Sequence, residues 1–333
     1  STDAYNVAVG HSAGASVTTG VQNSLFGALA GDALTDADEN VAVGISALST
    51  DTKGSRAVAI GAGALFTQNF TTATNSYNTA VGYHAGNDIT TGTNNTFIGG
   101  LAGDANTTAS GNTAVGYAAL SENTTGSANT VMGYLAADAL TTASNNVAMG
   151  NSALGAGTTG GNNVAIGFNA LLSNTTAVAN TAVGSRALDA NTTTSNLTAV
   201  GYQALSANTS GASATAIGYN ALAANTTGAS NTAVGREAGT AVTSGDSNTF
   251  IGAFAGDALT VGTDNTAVGT AALSADTQGS GSVAIGKNAL IVQNFTSATT
   301  AYNTAVGYEA GQSVTTGQYN AILGGLAGDA LTD

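Results

Sequence analysis

A chain of 333 residues has the length of about two ordinary domains, yet only 7% of its residues are charged, where about 25% is typical, and Pro, Cys and Trp are missing. The 19 acidic residues against 5 basic ones leave a net charge of −14 with no Lys/Arg cluster, which excludes the basic footprint that nucleic acid or an anionic membrane surface requires. Disulfides and thiolate metal sites are excluded too, and no apolar run of about 18 residues is present to insert into a bilayer.

Disorder does not fit either, because 43% of the residues are apolar and their pattern is strict. From the first residues onward, short motifs end in glycine: Ala8-Val9-Gly10, Ala80-Val81-Gly82, Ala114-Val115-Gly116, Ala165-Ile166-Gly167. The anchors run Gly10, Gly27, Gly44, Gly61, Gly82, Gly99, Gly116, Gly133, Gly150, Gly167, Gly184, Gly201, Gly218, Gly235, Gly252, Gly269, Gly286, Gly307 and Gly324. Successive anchors are 17 residues apart, except for 21 between Gly61 and Gly82 and again between Gly286 and Gly307. A repeat this short cannot hold a helix–turn–helix unit of about 34 residues, and it suits one coil of a β-solenoid.

Residues 112–128 represent one coil. Asn112 to Val115 alternate as a strand, Gly116 bends the backbone, Tyr117 to Leu120 form a second extended or irregular segment, and Asn123-Thr124-Thr125-Gly126 supplies turn chemistry. Both longer coils carry related insertions, Gln68-Asn69-Phe70-Thr71 and Gln293-Asn294-Phe295-Thr296. A distinctive pair of coils follows each insertion and recurs at Gly10 and Gly235. Residues 10–81 and 235–306 are duplicate 72-residue modules, with nine 17-residue coils at 82–234 between them. The expectation is a single continuous all-β parallel solenoid over 1–333, of about 19 coils, taken from a longer protein because both ends fall within a repeat. Strands about 4.8 Å apart predict a rod of roughly 90 Å, with Val and Ile as the inward ladder.

Asn163-Val164-Ala165-Ile166-Gly167, Ala57-Val58-Ala59-Ile60-Gly61 and Gly281-Ser282-Val283-Ala284-Ile285-Gly286 resemble the head repeats of YadA-like trimeric autotransporter adhesins. The Asn-Thr-Ala-Val-Gly-Tyr form also resembles repeats of phage tail-fibre and other bacterial fibre proteins, and the likeness covers essentially the whole chain. It implies a left-handed parallel β-roll, a homotrimer of rolls side by side, an extracellular location on a cell or virion surface, and attachment to a host or neighbouring-cell protein or glycan. The repeat here is longer than that family's head repeat, and no ligand-contact residue transfers.

Several residues invite a chemical reading. Asp32, Asp104, Asp257 and Asp329, with Asp138, each lie five residues after an anchor. They are calcium candidates if copies converge, or turn-closing side chains otherwise. Asn106, Asn123, Asn174, Asn191 and Asn225, with Asn69, Asn94, Asn196, Asn208 and Asn294, begin Asn-x-Thr sequons (Asn-x-Ser at Asn208) and are glycan acceptors, unless turn chemistry alone explains them. His11 and His84 read as exposed polar side chains. Tyrosines after the anchors, such as Tyr83, Tyr117, Tyr134, Tyr202, Tyr219 and Tyr308, read as a stripe for packing between chains or for contacts with sugars and proteins. Threonine placed in turns argues against an ice-binding array. No local break gathers acids and bases, so the expectation is a non-enzyme without cofactor: a fibre or adhesin segment, or alternatively a receptor- or carbohydrate-binding segment of a phage tail fibre.

Overall fold

A computed structural model describes residues 4–332. Among them there is no helix; every regular element is a short strand. Residues group into two compact units, 1–163 and 164–333. In the first, three-residue strands recur from Val7–Val9 through Thr113–Val115 to Val147–Met149; in the second they recur from Val164–Ile166 through Thr215–Ile217 to Ala321–Leu323.

Each unit is a parallel β-solenoid whose neighbouring strands pair one repeat apart. Thr113, Ala114 and Val115 lie opposite Thr130, Val131 and Met132, and Thr198, Ala199 and Val200 lie opposite Thr215, Ala216 and Ile217. The register is unbroken across the longer coils, where Val58 meets Thr79 and Val283 meets Thr304. Gln68, Phe70, Gln293 and Phe295 of the insertions stay buried, the extra length is taken up by exposed residues at 71–73 and 296–298, and each bulge is zipped by a two-residue pairing, Gly54–Ser55 with Thr74–Asn75 and Gly279–Ser280 with Thr299–Thr300.

The anchor glycine explains both the strand length and the period. Gly116 has φ +137, a conformation open to glycine. A Cβ placed there would fall on the carbonyl oxygen of Gly133 in the next coil. The strand therefore stops after three residues and turns. Of the extended and irregular forms the sequence allowed for Tyr117 to Leu120, the structure has the irregular one, a turn in which Ala118 and Leu120 both take the left-handed conformation, at φ 50 and 58. Across the coil from the strand, a threonine column closes the stack. Thr107 N–H and its hydroxyl both donate to the Thr124 carbonyl oxygen, at 3.0 and 2.9 Å, and Thr124 does the same to Thr141, at 2.8 and 3.1 Å.

The inward ladder differs from the expectation. Val and Ile before the anchor point outward; the strand's middle residue, usually alanine, points in. Alternation along a three-residue strand permits only one inward side chain. The coil is thin, so that residue is small, and the leucine four after the anchor completes the core: Ala114 with Leu120, Ala199 with Leu205. The paired coils invert this arrangement. Phe97 and Phe250 are fully buried at the middle position, and glycines replace leucine in their own and the preceding coil. A Cβ on Gly86 would lie 2.9 Å from Phe97, and one on Gly103 would lie 2.6 Å from it; Gly239 stands in the same relation to Phe250. In these two pairs one large ring is seated where two leucines would otherwise be; in the pairs at Gly10 and Gly307, Leu25 and Ile322 take the same place against Gly14, Gly31, Gly311 and Gly328.

Buried asparagines two positions ahead of the middle residue form a second column. Asn112 Oδ1 accepts the Asn129 N–H at 2.9 Å, and its Nδ2 donates to the Gly126 carbonyl at 2.8 Å; Asn231, Asn248 and Asn265 repeat this pattern in the second unit. Within these coils the buried amides of this column are thereby partnered, as burial demands.

Candidate interaction surface

Outward-facing residues of the main sheet make one chemical face per unit. Beside each anchor stands an exposed or partly exposed apolar residue, aliphatic except at Phe26, with Ile60 (38% exposed) and Met132 (41%) among the more exposed in the first unit and Ile217 (40%) and Ile251 (42%) in the second. Thr79, Thr113, Thr198 and Thr232 share that face two residues earlier, at its partly exposed edge. The tyrosines that follow the anchor are about half exposed and border it. Where two coils in succession carry one, the rings stack: Tyr117 on Tyr134 at 5.7 Å and Tyr202 on Tyr219 at 5.5 Å between centroids.

The aspartates do not come together within the chain. Asp32 accepts a hydrogen bond from Ser49 Oγ at 2.7 Å, Asp104 and Asp257 are half-buried, and Asp329 is exposed, each on its own coil. Burial pushes the carboxyls of Asp104, Asp138 and Asp257 above the ordinary range, and neighbouring carboxylates such as Glu122 add to it. Among the described residues no three His, Cys, Asp or Glu side chains are grouped to hold a metal ion.

The sequon asparagines need correcting. Asn106, Asn123, Asn174, Asn191 and Asn225 are fully buried inside the coil. Asn123 caps its own turn, donating to the Gly126 carbonyl at 2.9 Å and accepting the Gly126 N–H at 3.1 Å. Asn174, Asn191 and Asn225 donate in the same way three residues ahead. A glycan on these amides would have to replace the core, so turn chemistry explains the motif; Asn69, Asn94 and Asn196 are the exposed sequons.

Two buried networks were not foreseen. Asp51 accepts Gln68 Nε2 at 2.6 Å and the Gly54 and Phe70 N–H groups at 2.9 and 3.1 Å, while Gln68 Oε1 accepts Asn78 Nδ2 at 2.8 Å. Asp276, Gln293, Phe295 and Asn303 repeat it with the same distances. Burial raises the Asp51 pKa, opposed by the hydrogen bond from Gln68 and the backbone donors. The signal lay in the sequence: an Asp stands 17 residues ahead of the Gln in both insertions.

One cleft interrupts the first unit's surface. It has a volume of about 460 Å³ and lies over Ala62 and Gly63, between Ile45 on the preceding coil and Tyr83 on the following one. His84, expected to be an exposed polar side chain, is half-buried; its ring stacks on Tyr83 at 4.1 Å and crosses Gly63, where a Cβ would approach it to 2.9 Å. His11 is exposed. No known protein-family description matches this chain, and no curated protein matches it either.

Proposed function

We propose that this chain is a shaft or head segment of an extracellular fibre or adhesin, in which three copies, each a left-handed β-roll, associate side by side through their aliphatic faces. The observation that carries this reading is the exposed aliphatic column. Isolated surface Val or Ile residues are unremarkable, but a contiguous apolar strip repeated on every coil marks an association surface. Ile166, Ile217, Ile251 and Ile285 gain nothing from water, and the partly exposed threonines beside them tolerate a close neighbour. A surface that repeats every 17 residues presents identical patches, so weak contacts add up through avidity rather than through one strong site. Length and rigidity come from the stacked backbone, which needs no catalytic group, and the role is mechanical.

Light scattering on the purified chain tests the proposal. A particle of three times 31.9 kDa agrees with it. A particle of 31.9 kDa at every concentration up to the solubility limit contradicts it.

A further inference from the structure

We propose that the cleft over Ala62 and Gly63 is a binding site for one neutral hexopyranose ring of a surface glycan. This rests on the adhesive reading above and gives it a ligand class and a location.

The cleft arises because one rung of an otherwise continuous side-chain ladder is missing. The two residues after the anchor are Ile45-Ser46 on one coil and Tyr83-His84 two coils later, with Ala62-Gly63 between them. In no other coil are both residues as small as Ala and Gly. Strands 4.8 Å apart put the flanking side chains about 10 Å apart across the gap, room for one ring between two walls. The volume of about 460 Å³ falls in the range of small-ligand sites.

The lining divides into an apolar and a polar part. Ile45, Phe66 and the Tyr83 ring are the apolar walls. Tyr83 is 61% exposed, since the coil before it carries Ala62 and the coil after it Gly100. On the rim stand Ser46, Asn87 and the exposed carboxylate of Asp88. The Thr67 hydroxyl already donates to the Asn87 and Ile89 carbonyls, at 2.7 and 3.0 Å, leaving its lone pairs to accept. The rim is therefore rich in acceptors and faces a ligand that donates several O–H groups while offering C–H faces to aromatic and aliphatic walls. A pyranose has both. An anionic ligand is disfavoured by Asp88 and by the chain's net charge of −14.

The duplicate module provides a built-in control. At the equivalent place Lys287 and Asn288 replace Ala62 and Gly63, on the same backbone: Asn288 has φ 59 and Gly63 has φ 66. The double variant Ala62→Lys/Gly63→Asn thus fills the cleft with residues that this backbone already accepts, the His84 ring, whose place is taken by Glu309 in the second module, swinging aside from Gly63.

The experiment is saturation-transfer NMR on the whole chain with methyl α-glucopyranoside, methyl α-mannopyranoside, methyl β-galactopyranoside and N-acetylglucosamine. The proposal expects transfer to at least one of them, abolished by the double variant and weakened about tenfold in affinity by Tyr83→Ala, with the circular dichroism of both variants unchanged. No transfer to any of the four overturns it, as does equal transfer to the double variant. Neither result alters the mass measured by light scattering, so failure of the sugar site and failure of the fibre reading are separable.

Discussion

Substituting an anchor glycine tests the timing of the repeat most sharply. In Gly116→Ala the new methyl group meets two obstacles. Its φ of +137 is strained for any L side chain, at a cost of about 1–3 kcal/mol. Its Cβ also falls on the Gly133 carbonyl, which belongs to the backbone and cannot rotate away. Relief requires the coils to part, which weakens the Gly116 N–H bond to Ile98 O and the Gly133 N–H bond to Val115 O, at 2.8 and 2.9 Å and each worth about 0.5–1.5 kcal/mol net. The sum is a destabilisation of about 2–6 kcal/mol, centred on one coil. Gly100→Ala is the matched control. Gly100 lies next to an anchor but lacks the strained φ, and its added methyl would come no closer than 3.6 Å to any neighbour, the nearest being Tyr117. That variant is expected within about 0.5 kcal/mol of the parent. Urea unfolding gives the comparison, with amide exchange at Val115 and Gly133 reading the local effect, because a solenoid need not unfold in one step. If the two variants lose the same stability within error, the steric account of the 17-residue period is wrong.

The remaining predictions concern other columns. Phe97→Ala should cost about 3–5 kcal/mol through the cavity it leaves. Adding Gly103→Leu, which rebuilds the ordinary Ala114/Leu120 pairing, should recover a substantial part, as measured by thermal melts of the single and double variants. Asn112→Ala strands the Asn129 N–H inside the coil, while the Gly126 carbonyl keeps its hydrogen bond from Asn123, and should cost about 1–3 kcal/mol in the same assay. Acidification should stabilise the chain at first. Folding raises the Asp51 pKa above 3.8, as it does for Asp104, Asp138, Asp189 and Asp257, so the folded state holds protons that the unfolded state releases. Stability then rises as pH falls from neutrality through those folded pKa values, and levels off below 3.8. A melting temperature that falls steadily from pH 7 to about pH 4 would contradict this, and Asp51→Asn should remove the Asp51 share of the gain.

Much of the fold was legible because glycine punctuates it. The 17-residue return of an achiral residue fixed coil length, parallel pairing and register, and the two insertions did not disturb them. The facing of the strand was not legible. Thr113-Ala114-Val115 reads as an aliphatic strand with its larger residues inward, and only the thinness of the coil reverses it. Sequons misled for a related reason: Asn123-Thr124-Thr125 carries the glycan signature, but its amide is needed to close the turn, and sequence spacing does not reveal which way an amide points. The cleft over Ala62 and Gly63 left a faint trace, two small residues in one row of an aligned repeat. Its aromatic and polar rim is assembled from three coils and emerges only once they are stacked.

Because the chain contains no cysteine, a single nitroxide can be placed at will. A label at Ile217→Cys, on the aliphatic column, should show strong dipolar broadening from labels on adjoining copies, which vanishes on dilution with unlabelled chain. A label at Thr227→Cys, in the turn across the coil, should not. Sharp, concentration-independent spectra from the Ile217 site would mean that this face meets no second copy, and the proposed assembly through it would be wrong.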